Sequence, residues 1–299
     1  MQVDQAKLNQ FIGQFVHEFG AALNVALVVL GERLGLYKAM AGAGPMTPAE
    51  LAAKTSTAER YVREWLAAQA AGGYVTYDSA TQRYTLPDEQ AFALAVEDSP
   101  AYLPGAFQLV MAVLKDEPLI EEAFRTGAGV GWHEHDTGLF EGTERFFRPN
   151  YAANLVGSWI PALEGVEEKL KAGGRVADVG CGHGASTILM ALAYPNSEFC
   201  GFDYHRPSIE HARKAAARAG VDNRVMFEVH TSKGYPGLGY DLVAFFDCLH
   251  DMGDPAGAAA HVLQTLRRDG TWMIVEPYAN DRLEDNLRKR RDKPAWSRG

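Results

Sequence analysis

Three glycines near the middle of the chain follow a short apolar segment and could hold a ligand. They are Gly180, Gly182 and Gly184, and a helical pattern begins soon afterwards at Thr187. Glycine at a strand-to-helix turn lets a ligand approach the main chain, and the free amides at the start of a helix favour an anionic or polar group. The spacing alone does not identify the ligand, because Gly180, Gly182 and Ala185 also satisfy the G-x-G-x-x-A pattern of dinucleotide-binding folds.

A carboxylate narrows the ligand class. The next apolar segment, residues 198–203, ends at Asp203. In doubly wound folds an acidic side chain in this position receives two ribose hydroxyls, at the edge of the sheet where ligands bind. The two segments together predict a site for a nucleoside cofactor.

The elements that must position these residues alternate between strand and helix patterns. Further strands are predicted over 224–229, 240–246 and 270–276, with helices over 208–219 and 256–266. This rhythm indicates a parallel, doubly wound sheet. We therefore predict an α/β fold with five parallel strands in the second half of the chain.

The N-terminal third is predicted to be mainly helical. An apolar stripe at helical spacing runs along residues 8–19, and Gly20 is expected to separate this helix from a second one that reaches Leu36. The stripe must be buried, either against a partner subunit or within the chain. We expect a homodimer that forms through these N-terminal helices.

A winged-helix pattern follows. Capping boxes at Thr47–Glu50 and Ser56–Glu59 predict two helix starts, and apolar segments at 74–77 and 84–86 predict a β-hairpin. Such domains can bind DNA, but four basic and six acidic residues lie within 48–90. A net charge of −2 is unfavourable for DNA binding, so a dimerisation or substrate-covering domain is favoured.

The motifs resemble those of one enzyme family. Residues 178–184 (DVGCGHG), Asp203, residues 246–251 (FDCLHD) and Glu276-Pro277 are similar to the motifs of class I S-adenosylmethionine-dependent methyltransferases. With the winged-helix N-terminus, the resemblance narrows to small-molecule O-methyltransferases and a related bacterial group, and it covers most of residues 10–287. It implies a Rossmann-like sheet, S-adenosylmethionine as cofactor and a small-molecule acceptor.

The resemblance assigns the cofactor residues. It implies that the loop of Gly180 and Gly182 holds the methionine part of the cofactor, with Asp178 near its amino end. Asp203 would hold the ribose, and Tyr204 would lie beside the adenine. Two alternatives stay open, because Asp178 could only brace the glycine turn and Tyr204 could be an ordinary packing residue.

The resemblance also indicates where the chemistry occurs. Phe246 and Asp247 would border the methionine and the reacting methyl group. His250 stands where phenolic O-methyltransferases carry a catalytic histidine, and an imidazole that titrates near neutrality suits removal of a hydroxyl proton. The alternative is a histidine that packs or hydrogen-bonds within its loop.

The segment between the two domains combines aromatic and polar residues. It contains His133, His135 and Asp136, followed by the aromatic-rich stretch 140–147. Two imidazoles on alternate residues, without a spaced third ligand, do not form a usual metal site. We predict a lid or substrate wall there, and no metal.

Composition sets the remaining expectations. The chain has 299 residues, a net charge of −9 and three cysteines, which predicts two domains, no nucleic-acid partner and a reducing cytoplasm. The N-terminus has no secretory pattern, and the apolar stretch at 21–30 is too short to span a membrane. An NAD(P)-dependent oxidoreductase and a ligand-sensing, DNA-binding regulator are the rival functions; too few residues follow Gly184 for the substrate domain of the former.

Four segments are expected along the chain. They are a winged-helix dimerisation domain (1–100), a helical linker or lid (101–155), a methyltransferase domain (156–281) and a basic, disordered tail (282–299). The closing hairpin of a class I sheet has no counterpart after residue 277, which suggests a truncated member of the family whose activity is uncertain.

Overall fold

The computed structural model describes residues 1–292, with side chains described as far as residue 287. The chain divides into two compact units, Met1–Ala162 and Leu163–Gly299. The N-terminal unit is mainly helical. Its elements are α1 (Gln5–Arg33), α2 (Leu36–Met40), α3 (Pro48–Thr55), α4 (Glu59–Ala71), β1 (Thr76–Asp78), β2 (Arg83–Thr85), α5 (Asp88–Leu94), α6 (Pro104–Lys115), α7 (Glu117–Thr126) and α8 (Thr137–Asn154).

The first helix is longer than predicted. The expected break at Gly20 is wrong, because α1 runs uninterrupted from Gln5 to Arg33. One glycine inside a helix costs about 1 kcal/mol, which the flanking turns tolerate. Residues 1–23 are exposed on every side of the helix. Among the described residues, α1 alone is long and apolar enough to cross a membrane, a property that soluble core helices share.

The two predicted capping boxes have different outcomes. Thr47 and Glu50 form the expected reciprocal box at the start of α3. The box at Ser56 is wrong: α4 begins at Glu59 with Ala58 as its N-cap. Ser56 instead ends α3 in a left-handed conformation, with φ 54°. One residue cannot adopt both this conformation and the extended one that an N-cap requires.

The winged-helix core is built around two aromatic rings. The predicted hairpin is confirmed, with β1 and β2 antiparallel and Tyr77 opposite Tyr84. Tyr37 and Trp65 pack edge to face beneath it, with ring centroids 5.0 Å apart. A Cβ at Gly31 would lie 2.4 Å from the Trp65 ring, so the lack of a side chain there lets α1 approach α4.

The C-terminal unit contains the predicted parallel sheet. Its five strands lie in the order β5-β4-β3-β6-β7 and all pair in parallel. The predicted α/β fold with five parallel strands is thereby confirmed. The elements are α9 (Val166–Ala172), β3 (Arg175–Val179), α10 (Ala185–Ala193), β4 (Glu198–Asp203), α11 (Arg206–Ala219), β5 (Val225–Val229), β6 (Tyr240–Phe246), α12 (Pro255–Thr265), β7 (Leu266–Val275) and α13 (Leu283–Asp292).

The last segment differs from the expected disordered tail. It forms α13 over Leu283–Asp292, with Glu284 and Asp285 in its first turn. Acidic side chains at a helix start complement the helix dipole, which favours this helix. The rest of the predicted tail, 293–299, lies outside the described residues. Within 1–292, no strand follows β7.

Candidate active site

The glycine loop lies between β3 and α10 and has an unusual backbone. Gly180, Gly182 and Gly184 all have positive φ, at 75°, 52° and 81°. A Cβ at Gly180 would lie 2.7 Å from the Cys248 Sγ, and one at Gly184 would lie 2.6 Å from the Phe227 ring. Conformation and space therefore both require glycine at these two positions.

Asp178 lies directly beneath this loop and is fully buried. Its Oδ2 accepts hydrogen bonds of 2.6 Å from the hydroxyls of Ser186 and Thr187. Its Oδ1 has no partner among the described residues. Burial raises the pKa of Asp178 to about 6, against the two hydroxyl bonds that lower it. Asp178 thus braces the start of α10 and keeps one oxygen unpaired.

Asp203 connects the glycine loop to the end of β4. Its Oδ2 accepts from the Gly182 amide at 3.0 Å, and its Oδ1 accepts from the His205 amide at 2.8 Å. Burial raises the pKa of this carboxyl, although both amide bonds oppose the shift. The neighbouring Tyr204 is 44% exposed. The structure thus places Asp203 beside the glycine loop, and Tyr204 follows it with a partly exposed side chain.

The end of β6 lies next to β3 in the sheet. Phe246 is buried, and Asp247 follows it with φ 50°. Its amide donates to the Val275 carbonyl at 2.8 Å. Aspartate tolerates the left-handed region better than most residues, so the chain can turn sharply here. Phe246 and Asp247 therefore lie at the same edge of the sheet as Asp178.

His250 belongs to the loop that this turn begins. Its Nδ1 makes a close hydrogen bond to Glu276 Oε2, and its Nε2 lies 3.4 Å from Asp251 Oδ1. The other Glu276 oxygen accepts from the Leu249 amide at 2.7 Å. An ionised carboxylate only accepts, so Nδ1 carries a proton and the neutral ring has its lone pair on Nε2.

The surroundings of His250 favour its charged form. Burial by itself lowers the pKa of the imidazole, but the hydrogen bond to Glu276 and the charges of Asp251, Glu276 and Asp247 outweigh it and raise the pKa above its usual value. A neutral His250 is accordingly a stronger proton acceptor than a free imidazole. The arrangement can take a proton from a substrate hydroxyl.

Glu276 is the site residue for which the sequence predicted no role. It follows directly after β7, next to the end of β6. An acidic residue at the carboxyl end of a parallel strand is a signal that could have identified it.

Comparison with known proteins agrees with this architecture. Residues 21–96 match the model of the Rv2258c-like winged HTH domain, and residues 170–297 match a methyltransferase domain. The chain carries a winged HTH domain followed by a methyltransferase domain. The resemblance inferred from the motifs is thereby confirmed.

Two curated relatives are informative. The 27-O-demethylrifamycin SV methyltransferase of Amycolatopsis mediterranei is 34% identical over 34% of this chain and 38% of its own length. The ubiquinone biosynthesis O-methyltransferase of Bordetella parapertussis is 32% identical over 44% of this chain and 52% of its own length. This methyltransferase thus spans about half or less of these relatives.

Solved structures share the fold over nearly the whole chain. The mitomycin 7-O-methyltransferase MmcR has a TM-score of 0.68 and 16% identity, covering 93% of this chain and 84% of its own. Human N-acetylserotonin methyltransferase, in complex with SAM, has a TM-score of 0.64 and 17% identity, covering 96% and 85%. At this identity the likeness shows the fold alone.

Proposed function

We propose that the protein transfers a methyl group from S-adenosylmethionine to an oxygen of a small-molecule acceptor. The observation that carries this proposal is the His250–Glu276 pair at the sheet edge next to the glycine loop. A paired imidazole suits an acceptor that must lose a proton. The curated relatives and solved structures described above include enzymes named as O-methyltransferases.

The residues present fit the cofactor. At Gly182 no atom lies within 4 Å of the position of a Cβ, so a ligand can approach the main chain there, and Asp178 has an unpaired, buried oxygen that can accept a hydrogen bond from an amino group. We assign the methionine part to Gly180 and Gly182, with Asp178 at its amino end. The ribose is assigned to Asp203 and the adenine to Tyr204.

The chain's own residues then have simple tasks. When bound, S-adenosylmethionine would supply an electrophilic methyl group on a sulfonium, whose sulfur leaves as a neutral thioether and needs no acid. Phe246 and Asp247 border the reacting end and help to exclude water. His250 Nε2 accepts the hydroxyl proton of the acceptor, and Glu276 holds the ring in the required tautomer and stabilises the imidazolium that forms.

Calorimetric titration with S-adenosylhomocysteine and NAD tests the cofactor class. We expect the former to bind and the latter not to bind. Asp203→Asn is expected to weaken S-adenosylhomocysteine binding at least about tenfold, because the Gly182 amide and the ribose lose a charged acceptor. Glu198→Gln is the matched control, since Glu198 lies exposed at the opposite end of the same strand. NAD binding in its place would support the oxidoreductase.

The winged-helix domain is proposed to bind protein rather than DNA. On α4 the basic side chains are already paired, Arg60 with Glu64 and Arg63 with Glu59. Such pairing reduces the positive charge available to phosphates. A gel-shift assay with the upstream DNA of the protein's own locus should show no specific complex; a salt-sensitive specific complex would support a regulator.

We infer that two copies associate through α1. Phe11, Phe15, Val16 and Phe19 each expose more than half of their surface, and an apolar stripe of this length indicates an interaction surface. We expect a dimer in analytical ultracentrifugation, a shift towards monomer in Phe15→Asp, and no shift in Gln10→Asp, which lies outside the stripe. A monomeric wild type at tens of micromolar would contradict the inference. A cytoplasmic location stays a prediction, based on the cysteine content.

A further inference from the structure

A second histidine–carboxylate pair lies in the N-terminal unit, where the proposed methyl transfer does not use it. His135 Nδ1 is 2.8 Å from Asp116 Oδ2. The other Asp116 oxygen accepts from the Asp136 amide at 3.0 Å. Asp116 is buried at the junction of α6 and α7, while 19% of the His135 side chain is exposed. The pair thus joins a buried carboxylate to a ring that reaches the surface.

The hydrogen-bond pattern defines which nitrogen can act on a ligand. Because the Asp116 carboxylate accepts only, Nδ1 of His135 must carry a proton. The neutral ring therefore has its lone pair on Nε2, for which the structure shows no hydrogen-bond partner among the described residues. His135 Nε2 is consequently an oriented hydrogen-bond acceptor.

Loop closure does not by itself account for His135. The loop is already held by the Asp116–Asp136 amide bond and by Lys115, whose Nζ lies 3.0 Å from Asp136 Oδ1. Asp136 Oδ1 also accepts from the Gly138 amide. Other hydrogen bonds already hold the loop, and the imidazole adds a hydrogen-bond acceptor to it.

One aromatic ring, that of Trp132, lies beside this acceptor and packs in turn against Phe140. The Trp132 ring lies 5.9 Å from the His135 ring at an interplanar angle of 61°, and 5.4 Å from the Phe140 ring at 89°. Phe140 is buried, while Trp132 and His135 are partly exposed. Aromatic faces favour a planar apolar ligand, and a basic nitrogen among them favours a hydroxyl on that ligand.

We propose that the Asp116–His135 pair, with Trp132, binds an aromatic hydroxyl compound. The hydroxyl donates to His135 Nε2, and the aromatic ring of the ligand packs against Trp132. The inference goes beyond the proposed function and does not depend on it.

The test uses the full-length protein with 4-nitrophenol as the probe and nitrobenzene as the matched compound without a hydroxyl. We expect 4-nitrophenol to bind in a calorimetric titration and nitrobenzene to bind at least about tenfold more weakly, because nitrobenzene has no hydroxyl that could donate to His135 Nε2. His135→Gln should weaken 4-nitrophenol binding at least about tenfold, since a neutral amide replaces an oriented base. His133→Gln is the control variant, because His133 is an exposed residue of the same loop.

A second measurement does not depend on the variants. In nitrogen-15 NMR of the imidazoles, the His135 Nε2 resonance should move when 4-nitrophenol is added. Absence of binding, equal binding of nitrobenzene, unchanged affinity in His135→Gln or an unmoved Nε2 resonance would each overturn the proposal. S-adenosylhomocysteine binding, measured on the same samples, should be unchanged in His135→Gln. Absence of S-adenosylhomocysteine binding in the wild type would contradict the proposed function and not the proposed phenol site.

Discussion

Two histidines of this chain are oriented by carboxylates in the same way but lie in different surroundings. His250 is 48% exposed and has Glu276 at Nδ1 and Asp251 near Nε2. His135 is 19% exposed and is paired with the buried Asp116. Several acidic groups raise the pKa of His250, which suits proton removal. One carboxylate and one aromatic neighbour, Trp132, instead suit His135 for recognition. A carboxylate orients the ring of both histidines, and the two proposed roles differ because the charges around the two rings differ.

The largest expected effect is the loss of His250. His250→Gln should lower the rate constant of methyl transfer by about 10²- to 10⁴-fold, because proton removal loses its acceptor. Affinity for S-adenosylhomocysteine should stay unchanged. Steady-state kinetics with a phenolic acceptor and calorimetry measure the two effects, and His17→Gln on the exposed part of α1 is the control. If the rate constant of His250→Gln stayed within about threefold of wild type, His250 would not be the proton acceptor, and its role would no longer differ from that of His135.

Asp178 offers a third case, because its buried carboxylate accepts hydrogen bonds from two hydroxyls rather than from a histidine. Burial raises the pKa of Asp178 to about 6 from a usual value of 3.8, so folding favours its protonated form. Its contribution to stability is present below about pH 4 and is lost as the pH rises through about 6. At about 1.4 kcal/mol per pKa unit, the change is about 3 kcal/mol.

Asp178→Asn should therefore flatten the dependence of the free energy of unfolding on pH between about 4 and 6. Urea denaturation across this range measures the effect. Asp222→Asn serves as the control, since this exposed residue lies away from the loop. An unchanged slope in Asp178→Asn would show that burial does not raise the pKa as inferred.

The charges around His250 can be removed one at a time. Glu276→Gln replaces a charged hydrogen-bond acceptor by a neutral amide, and so weakens the hydrogen bond and removes the negative charge that both raise the pKa of His250. Because the neutral imidazole is the active form, activity should rise as the pH passes this pKa, and the midpoint in Glu276→Gln should move to lower pH. Asp251→Asn, at a longer distance, should move it less. The pH profile of kcat/KM measures both, and a midpoint that stays in place would contradict the role of Glu276.

The smallest expected effect concerns α1. Gly20→Ala should raise the free energy of unfolding by about 0.5–1 kcal/mol, because alanine loses less backbone entropy inside a helix. No atom lies within 4 Å of the Cβ that this change adds. Thermal denaturation measures the gain. Destabilisation instead would mean that Gly20 makes a close contact in the dimer.

Local sequence signals predicted most of the fold because they act over a few residues. The capping box at Thr47 depends only on residues of its own helical turn. The strand β6 was predicted with its observed ends. Predictions failed where one local sequence pattern was compatible with two different structures. Ser56 satisfies a capping pattern but ends the preceding helix, and Gly20 weakens α1 without interrupting it. Propensity alone does not choose between such solutions.

The sequence by itself determined where the glycine loop lies, because the apolar segment, the three glycines and the helical pattern that define it follow one another within a few residues. It also placed Asp203 at a strand end. Only the tertiary structure decided which carboxylate meets which histidine: Glu276 lies 26 residues from His250, and Asp116 lies 19 residues from His135. Such pairings depend on how strands and helices pack, and packing depends on the whole core rather than on any short pattern.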